Sequence, residues 1–166
     1  EERNLALDNL FNKLKTKDSF DALKAEKKIW RIWSTHKSND RKGYRLTNML
    51  AQGELMIIKK NLDKAINIFS LIISIDSEWA EAWNKRATAL YLSGRYEESI
   101  DDIKKTLQLE PRHFGAIAGL GLNQIELKNY ESALKSYKEA QNIYPTMEAA
   151  KKMIPLIKEF IKGQKT

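Results

Sequence analysis

The chain contains no cysteine. That excludes a disulfide framework, a thiolate nucleophile and any thiolate metal site. Its two histidines, His36 and His113, are far apart in sequence, and neither has a second histidine or a carboxylate at HExxH-like spacing. A catalytic zinc needs roughly three convergent protein ligands, so no metal is expected. Only three prolines and seven glycines occur, which suits long helices joined by short turns. No run approaches the ~20 apolar residues of a membrane-spanning helix; the apolar stretch from Phe69 to Ile75 is interrupted by Ser70 and Ser74. No phosphate loop is present either, because the glycines at 115, 119 and 121 have neither a preceding strand nor a lysine. Asp101 and Asp102 are neighbours on one helix, so their side chains point about 100° apart and cannot share a substrate proton. They are expected on a solvated face with Lys104 and Lys105. Nothing here supplies catalysis, and no cofactor is implied.

What the chain does have is enough apolar material, 42%, to build a core, and 31% charged residues. At 166 residues it is one domain or one continuous array. Its net charge of +7 is uneven: residues 1–45 contribute +5, residues 46–147 contribute −1 and residues 148–166 contribute +3. The charge therefore belongs to the two ends.

Leu7, Leu10, Phe11 and Leu14 recur at helical spacing and mark a first helix. Asp18 or Ser19 caps a second, which sets Phe20, Leu23, Trp30 and Trp33 on roughly one side with Ile29 beside them. Residues 34–43 are polar and read as a loop. From Leu46 the chain repeats with a period of 34, restarting at Ala80 and Phe114. The eighth residue of each unit is small (Gly53, Ala87, Gly121), as is the twentieth (Ala65, Ser99, Ala133). The twenty-fourth is large: Phe69, Ile103, Tyr137. Small residues let two helices approach, and large ones fill what remains. Positions fifteen and sixteen turn the chain at Lys60-Asn61, Gly94-Arg95 and Lys128-Asn129, with glycine or asparagine expected to take a left-handed backbone. After Pro145, Thr146 is expected to cap a last helix carrying Ala150, Ile154 and Ile157, kinked or ended at Pro155. Residues 163–166 are expected to fray.

This period and pattern resemble the tetratricopeptide repeat. Trp83, Ala87, Gly94, Tyr96 and Pro111 carry the likeness in the second unit, and Leu120, Gly121, Tyr130, Ala133, Ala140 and Pro145 in the third. The first unit departs at Gln52, Lys60, Ile72 and Ser77 but keeps the period. The string from Pro111 to Gly121, with Trp83–Thr88 and the tryptophan-rich Ile29–Trp33, is similar to small alphaproteobacterial members of the family. The resemblance implies an all-α fold, a right-handed α-α superhelix of about eight helices. It comprises a leading hairpin and loop (1–45), three repeats (46–79, 80–113, 114–147) and a closing helix and tail (148–166). It also implies a bacterial protein. With a chain that begins at Glu1 rather than methionine, a periplasmic location is expected in preference to a cytoplasmic one.

In such arrays positions two, five, nine and twelve of each first helix line a concave groove. Here the candidate binding residues are Leu50, Glu54, Ile57, Glu81, Asn84, Thr88, Tyr91, Ala118, Leu122 and Ile125. The stripe is largely apolar, which suits a peptide or an amphipathic helix of a partner protein. Alternatively the leading hairpin, through Trp30 and Trp33, fills it. Some relatives clamp an acidic chaperone tail with Lys, Asn and Arg. The matching positions here are Leu50, Glu54, Lys85, Gly115 and Gly119, so only Lys85 is basic and that clamp is absent. Arg86, near the helix seam, is expected to form a structural ion pair with a carboxylate of a neighbouring repeat or to snorkel to water, and His113 to pack or cap.

The expected function is thus a non-enzymatic protein-interaction module, most simply a monomer, with self-association open. Two other readings remain. One is an assembly subunit docking through its convex face or basic ends. The other is a binder of an anionic surface through the basic flanks. No nucleic-acid-binding motif occurs, so no nucleic-acid partner is expected.

Overall fold

The structure, a computed structural model, describes residues 1–164. They form nine α-helices and no strand: α1 (Glu2–Leu14), α2 (Ser19–Trp33), α3 (Arg41–Ile58), α4 (Leu62–Ile75), α5 (Ala80–Leu92), α6 (Tyr96–Leu109), α7 (Phe114–Glu126), α8 (Tyr130–Ile143) and α9 (Glu148–Gly163). The expected tail at 165–166 lies outside the described residues. Two compact units are formed, one from residues 30–111 and one from residues 1–29 with 112–164.

In the unit of residues 30–111, α3 pairs with α4, α4 with α5, and α5 with α6. Its core gathers Leu46, Leu50, Ala65, Phe69, Ile72, Trp79, Ala82 and Ala89. Helix α3 starts earlier than the polar composition of 34–43 suggests. Asp40 caps it by accepting from the Gly43 N–H at 2.8 Å. Glycine is required there, because a Cβ on Gly43 would fall 1.8 Å from the Ser38 carbonyl oxygen. Gly53 is equally constrained: its missing Cβ leaves room for the Phe69 ring, which would otherwise lie 2.3 Å away. Trp83, a hallmark of the repeat, is only half-buried. Its Nε1 donates to the Ser77 carbonyl at 2.9 Å and Arg86 lies 5.0 Å from its ring.

In the other unit α7 pairs with α8 and α8 with α9. Ala118, Ala133, Tyr137, Ala150 and Ile157 form a core cluster. Gly121 accommodates the Tyr137 ring as Gly53 does Phe69, with 2.6 Å left for a Cβ. Helix α9 departs from expectation at its start: it begins at Glu148 with no side-chain cap, so Thr146 does not cap it. Of the two outcomes expected at Pro155, an end to the helix does not occur, since α9 continues to Gly163. A proline inside a helix removes one hydrogen bond, but Ala150 and Ile157, both fully buried, anchor the helix on either side of it. Within the leading hairpin, Asp18 caps α2 by accepting from the N–H groups of Phe20 and Asp21. The apolar side of α2 is the expected one only in its second half: Ile29 and Trp33 are buried and Trp30 half-buried, but Ala22 and Ala25 complete the buried face, whereas Phe20 and Leu23 are exposed.

All three hairpin turns close identically. Lys60, Gly94 and Lys128, each at position fifteen, have φ of 58°, 75° and 61°. The next N–H reaches back to the carbonyl of Met56, Leu90 or Gln124, at 2.9, 2.9 and 2.7 Å. This is a Schellman closure. The left-handed residue is thus lysine in two turns, not the asparagine that follows it. Asn61 and Asn129 have φ near −90° and sit as N-caps of α4 and α8.

Candidate functional site

The first helix of each repeat is divided along its length. Position five is closed in all three repeats, and position two is closed in the second. Leu50, Glu81, Asn84 and Ala118 are buried, so the expectation that these four line an open groove is corrected. Thr47, at position two of α3, is half-buried and its hydroxyl accepts the His36 N–H at 3.0 Å. Positions nine and twelve stay accessible: Glu54, Ile57, Tyr91, Leu122 and Ile125 are half-buried and Thr88 is exposed. Leu122 and Ile125 also pack on the core cluster beneath α7. Next to the open positions, Ile58 is 77% and Leu92 51% exposed, so the C-terminal turns of α3 and α5 present apolar surface to solvent.

Leu50 and Ala118 belong to the core clusters of their own units. In the unit of residues 30–111, the last turn of α2 and the connection after it are bonded to the first repeat. Trp79 Nε1 donates to the Trp33 carbonyl at 2.9 Å. His36 stacks edge-on against Trp79 at 5.2 Å. Because the Ser38 N–H donates to His36 Nδ1, Nε2 carries the hydrogen and donates to Asp76 at 2.8 Å. Burial raises the Asp76 carboxyl, but the His36 hydrogen bond and the Glu78 N–H outweigh it and hold the carboxyl below its ordinary value. Glu81 and Asn84 close position two and position five of α5 with a polar network. Asn84 Nδ2 donates to Glu81 at 3.3 Å, and Lys85 Nζ lies 3.4 Å from Glu81 and 2.6 Å from Glu54. Burial lowers the Lys85 ammonium, yet the two glutamates more than offset it and its pKa is raised. Lys85 also sits 5.4 Å from the Trp30 ring. The one basic residue at a clamp position is therefore engaged by two carboxylates and an indole.

In the other unit, α1 and the first turns of α2 lie on residues at the two ends of the third repeat. Phe11 meets Phe114 edge-on at 6.4 Å, Arg112 bonds Asp8 at 2.7 Å while lying 4.2 Å from the Phe11 ring, and the Tyr144 hydroxyl donates to Glu26 at 3.0 Å. Burial and Glu26 push the Tyr144 phenol up to about 12.

Other sequence expectations resolve as follows. Arg86 forms a structural ion pair, but with a carboxylate of its own repeat rather than of a neighbour: it is bidentate to Asp102 at 2.7 and 2.8 Å, and it reaches the preceding repeat only by donating to Ser70 at 3.1 Å. Asp102 is consequently buried rather than solvated; only Asp101, 3.3 Å from Lys104, has the exposed role expected of both. His113 caps α7 by accepting the Ala116 N–H at Nδ1, 3.0 Å away. Among the described residues no cluster of histidine and carboxylate groups could hold a metal, and no helix is long and apolar enough to cross a membrane. Sequence reasoning missed Trp79 and Asp76. The signal for Trp79 was a large aromatic at position thirty-four, where the other repeats carry His113 and Met147.

The tetratricopeptide repeat profile matches residues 80–113, and a second profile of the same description matches residues 115–147. A TPR repeat-containing protein of Rhizobium etli is 32% identical over 162 residues, which span 96% of this chain and 76% of that protein. The chain is a tetratricopeptide repeat protein. Its tetratricopeptide fold is shared by the Sgt2 TPR domain of Aspergillus fumigatus, with a TM-score of 0.69 at 21% identity, covering 73% of this chain and 82% of that one. It is shared too by the first TPR of Spaghetti (RPAP3) bound to the HSP90 peptide SRMEEVD, with a TM-score of 0.68 at 17% identity, covering 70% of this chain and 93% of that one.

Proposed function

We propose that this tetratricopeptide protein is a non-enzymatic interaction module that receives a peptide or amphipathic helix of a partner protein on the C-terminal halves of its first helices. The reading rests on one observation: position five is buried in all three repeats while positions nine and twelve stay accessible and are mostly apolar. In the unit of residues 30–111 the contact residues are Ile57, Thr88 and Tyr91, with Glu54 at the polar edge. In the other unit they are Leu122 and Ile125. That the related RPAP3 domain holds a peptide supports the same class of ligand here. An acidic chaperone tail is the wrong cargo, because Lys85 is already satisfied by Glu54 and Glu81.

A photo-crosslinking residue at Thr88, which is exposed, tests the site directly. It should capture a discrete segment of a partner protein, and Tyr91→Ala should abolish capture while the far-UV melt stays close to that of the parent. Equal capture from the exposed position Lys138 on α8, or capture that survives Tyr91→Ala, would rule the site out. Leu122→Glu is a poorer probe, since Leu122 packs on the core and its loss lowers stability as well.

A further inference from the structure

The leading hairpin buries Leu7, Phe11, Leu14, Ala22, Ala25 and Ile29. Its core is complete without Phe20 and Leu23, which are 66% and 42% exposed. At about 100° per residue, these two point away from Ala22, Ala25 and Ile29. Lys24 Nζ lies 4.1 Å from the centre of the Phe20 ring, so an ammonium sits over the face of an exposed aromatic. Lys24 also lines a cleft of about 380 Å³ that opens between α1 and α2. Lys13, Lys24 and Lys28 line it, with Thr16, Leu10 and Ala25, and Asp21 is its one acid.

These lysines are poorly compensated. Lys24 and Asp21 are 3.5 Å apart with both side chains more than half exposed, a pair worth little. Residues 13–28 carry six lysines against Asp18, Asp21 and Glu26. Asp18 is turned to the α2 cap and Glu26 to Tyr144.

The chemistry of an occupant follows. Lysines act as point charges and lack the planar fork that reads a carboxylate, so they suit phosphate groups presented without fixed geometry. Exposed Phe and Leu on the helix that carries two of these lysines also call for an apolar phase. An acidic peptide would satisfy the lysines but leave Phe20 and Leu23 in water, whereas an anionic lipid surface satisfies both. We infer that this face of the hairpin docks on an anionic phospholipid surface, with headgroup phosphates at Lys13, Lys24 and Lys28 and with Phe20 and Leu23 in the interfacial region. The docking is peripheral and independent of the partner site on the first helices.

Co-sedimentation of the purified chain with phosphatidylcholine vesicles containing about a third phosphatidylglycerol tests this. The protein should partition onto them and not onto pure phosphatidylcholine, and salt should weaken the binding. At roughly fivefold per lysine, K13Q/K24Q/K28Q should lose about a hundredfold in partitioning. Phe20→Ser with Leu23→Ser should lose about tenfold while keeping the salt dependence. All five side chains are solvent-accessible, so the far-UV melts of both variants should overlay the parent. Failure to sediment with anionic vesicles, or undiminished sedimentation of the triple variant, overturns the inference. Binding of a polyglutamate peptide through the same lysines without vesicle association overturns it too, and makes an acidic peptide the ligand.

Discussion

In the flanking repeats an aromatic ring lies against a glycine, Phe69 on Gly53 and Tyr137 on Gly121. In the middle repeat Ile103 and Ala87 hold those two places, and the Ser99 hydroxyl donates to the Ala87 carbonyl at 2.7 Å. The difference shows that the small residue at position eight is half of a volume pair. What the helices require is a combined size at positions eight and twenty-four, which two chemistries supply here. The middle repeat also places an ion pair in its seam, Arg86 to Asp102, where the flanking repeats carry Gln52 and Leu120 at the arginine's position.

The largest effect should come from breaking that pair. Arg86→Leu leaves Asp102 buried without its partner and should cost about 3 kcal/mol, read from denaturant midpoints. Arg86→Leu with Asp102→Leu should return to within about 1 kcal/mol of the parent, since an apolar pair can replace a buried ionic one. Next, Gly53→Ala drives a Cβ into the Phe69 ring and should cost about 2 kcal/mol. Adding Phe69→Ile copies the middle repeat's pairing and should recover part of that loss, whereas purely additive losses would refute the volume-pair account. A smaller effect, of opposite sign, is expected at position fifteen. Lys60→Gly and Lys128→Gly should each stabilise by about 0.5–1 kcal/mol, and Gly94→Ala should destabilise by about 1 kcal/mol. Thermal melts of the three variants decide it. The last effect is confined to alkaline solution. The Tyr144 phenol titrates at about 12 instead of its ordinary 10.0. Its raised pKa means the folded state favours the neutral form. That contribution is complete below the ordinary value and is lost as pH climbs towards about 12. Tyr144→Phe should therefore flatten the fall in stability across this window relative to the parent.

The repeat was legible because its constraints are local. Position eight faces position twenty-four within one hairpin, so a period of 34 with alternating small and large residues spells out the packing. The turns were half-legible. Gly94 announces its left-handed backbone, but Lys60 and Lys128 adopt the same conformation because the closing bonds are backbone to backbone and no side chain takes part. Helix α2 was misread because its buried face is built around Ala22 and Ala25, which are weak signals beside Phe20 and Leu23. The burial of Leu50, Glu81, Asn84 and Ala118 was not legible, because it depends on which residues the cores take in and on the Asn84 to Glu81 contact. Nor were the bonds of Trp79 to Trp33 and His36 to Asp76, which join residues 46 and 40 apart in sequence. An ion pair at Arg86 was foreseeable from an arginine at a helix seam; that its partner is Asp102 was not, because Asp101 and Asp102 look alike in sequence.

Arg86 reaches Asp102 inside its own repeat and Ser70 in the repeat before it. A gene edit that removed residues 80–113 would keep the 34-residue register and would delete both the guanidinium and the carboxylate. Ser70 would then meet a segment that carries Leu120 where Arg86 had been. Duplicating residues 80–113 would fail differently. The arginine of the second copy would look back on position twenty-five of the first, which is Lys104 rather than a serine, and two cations would share one seam. The repeats of this chain are therefore not exchangeable bricks. The second is fitted to the first, through Arg86 on Ser70 and Lys85 on Glu54, and that order is part of the fold.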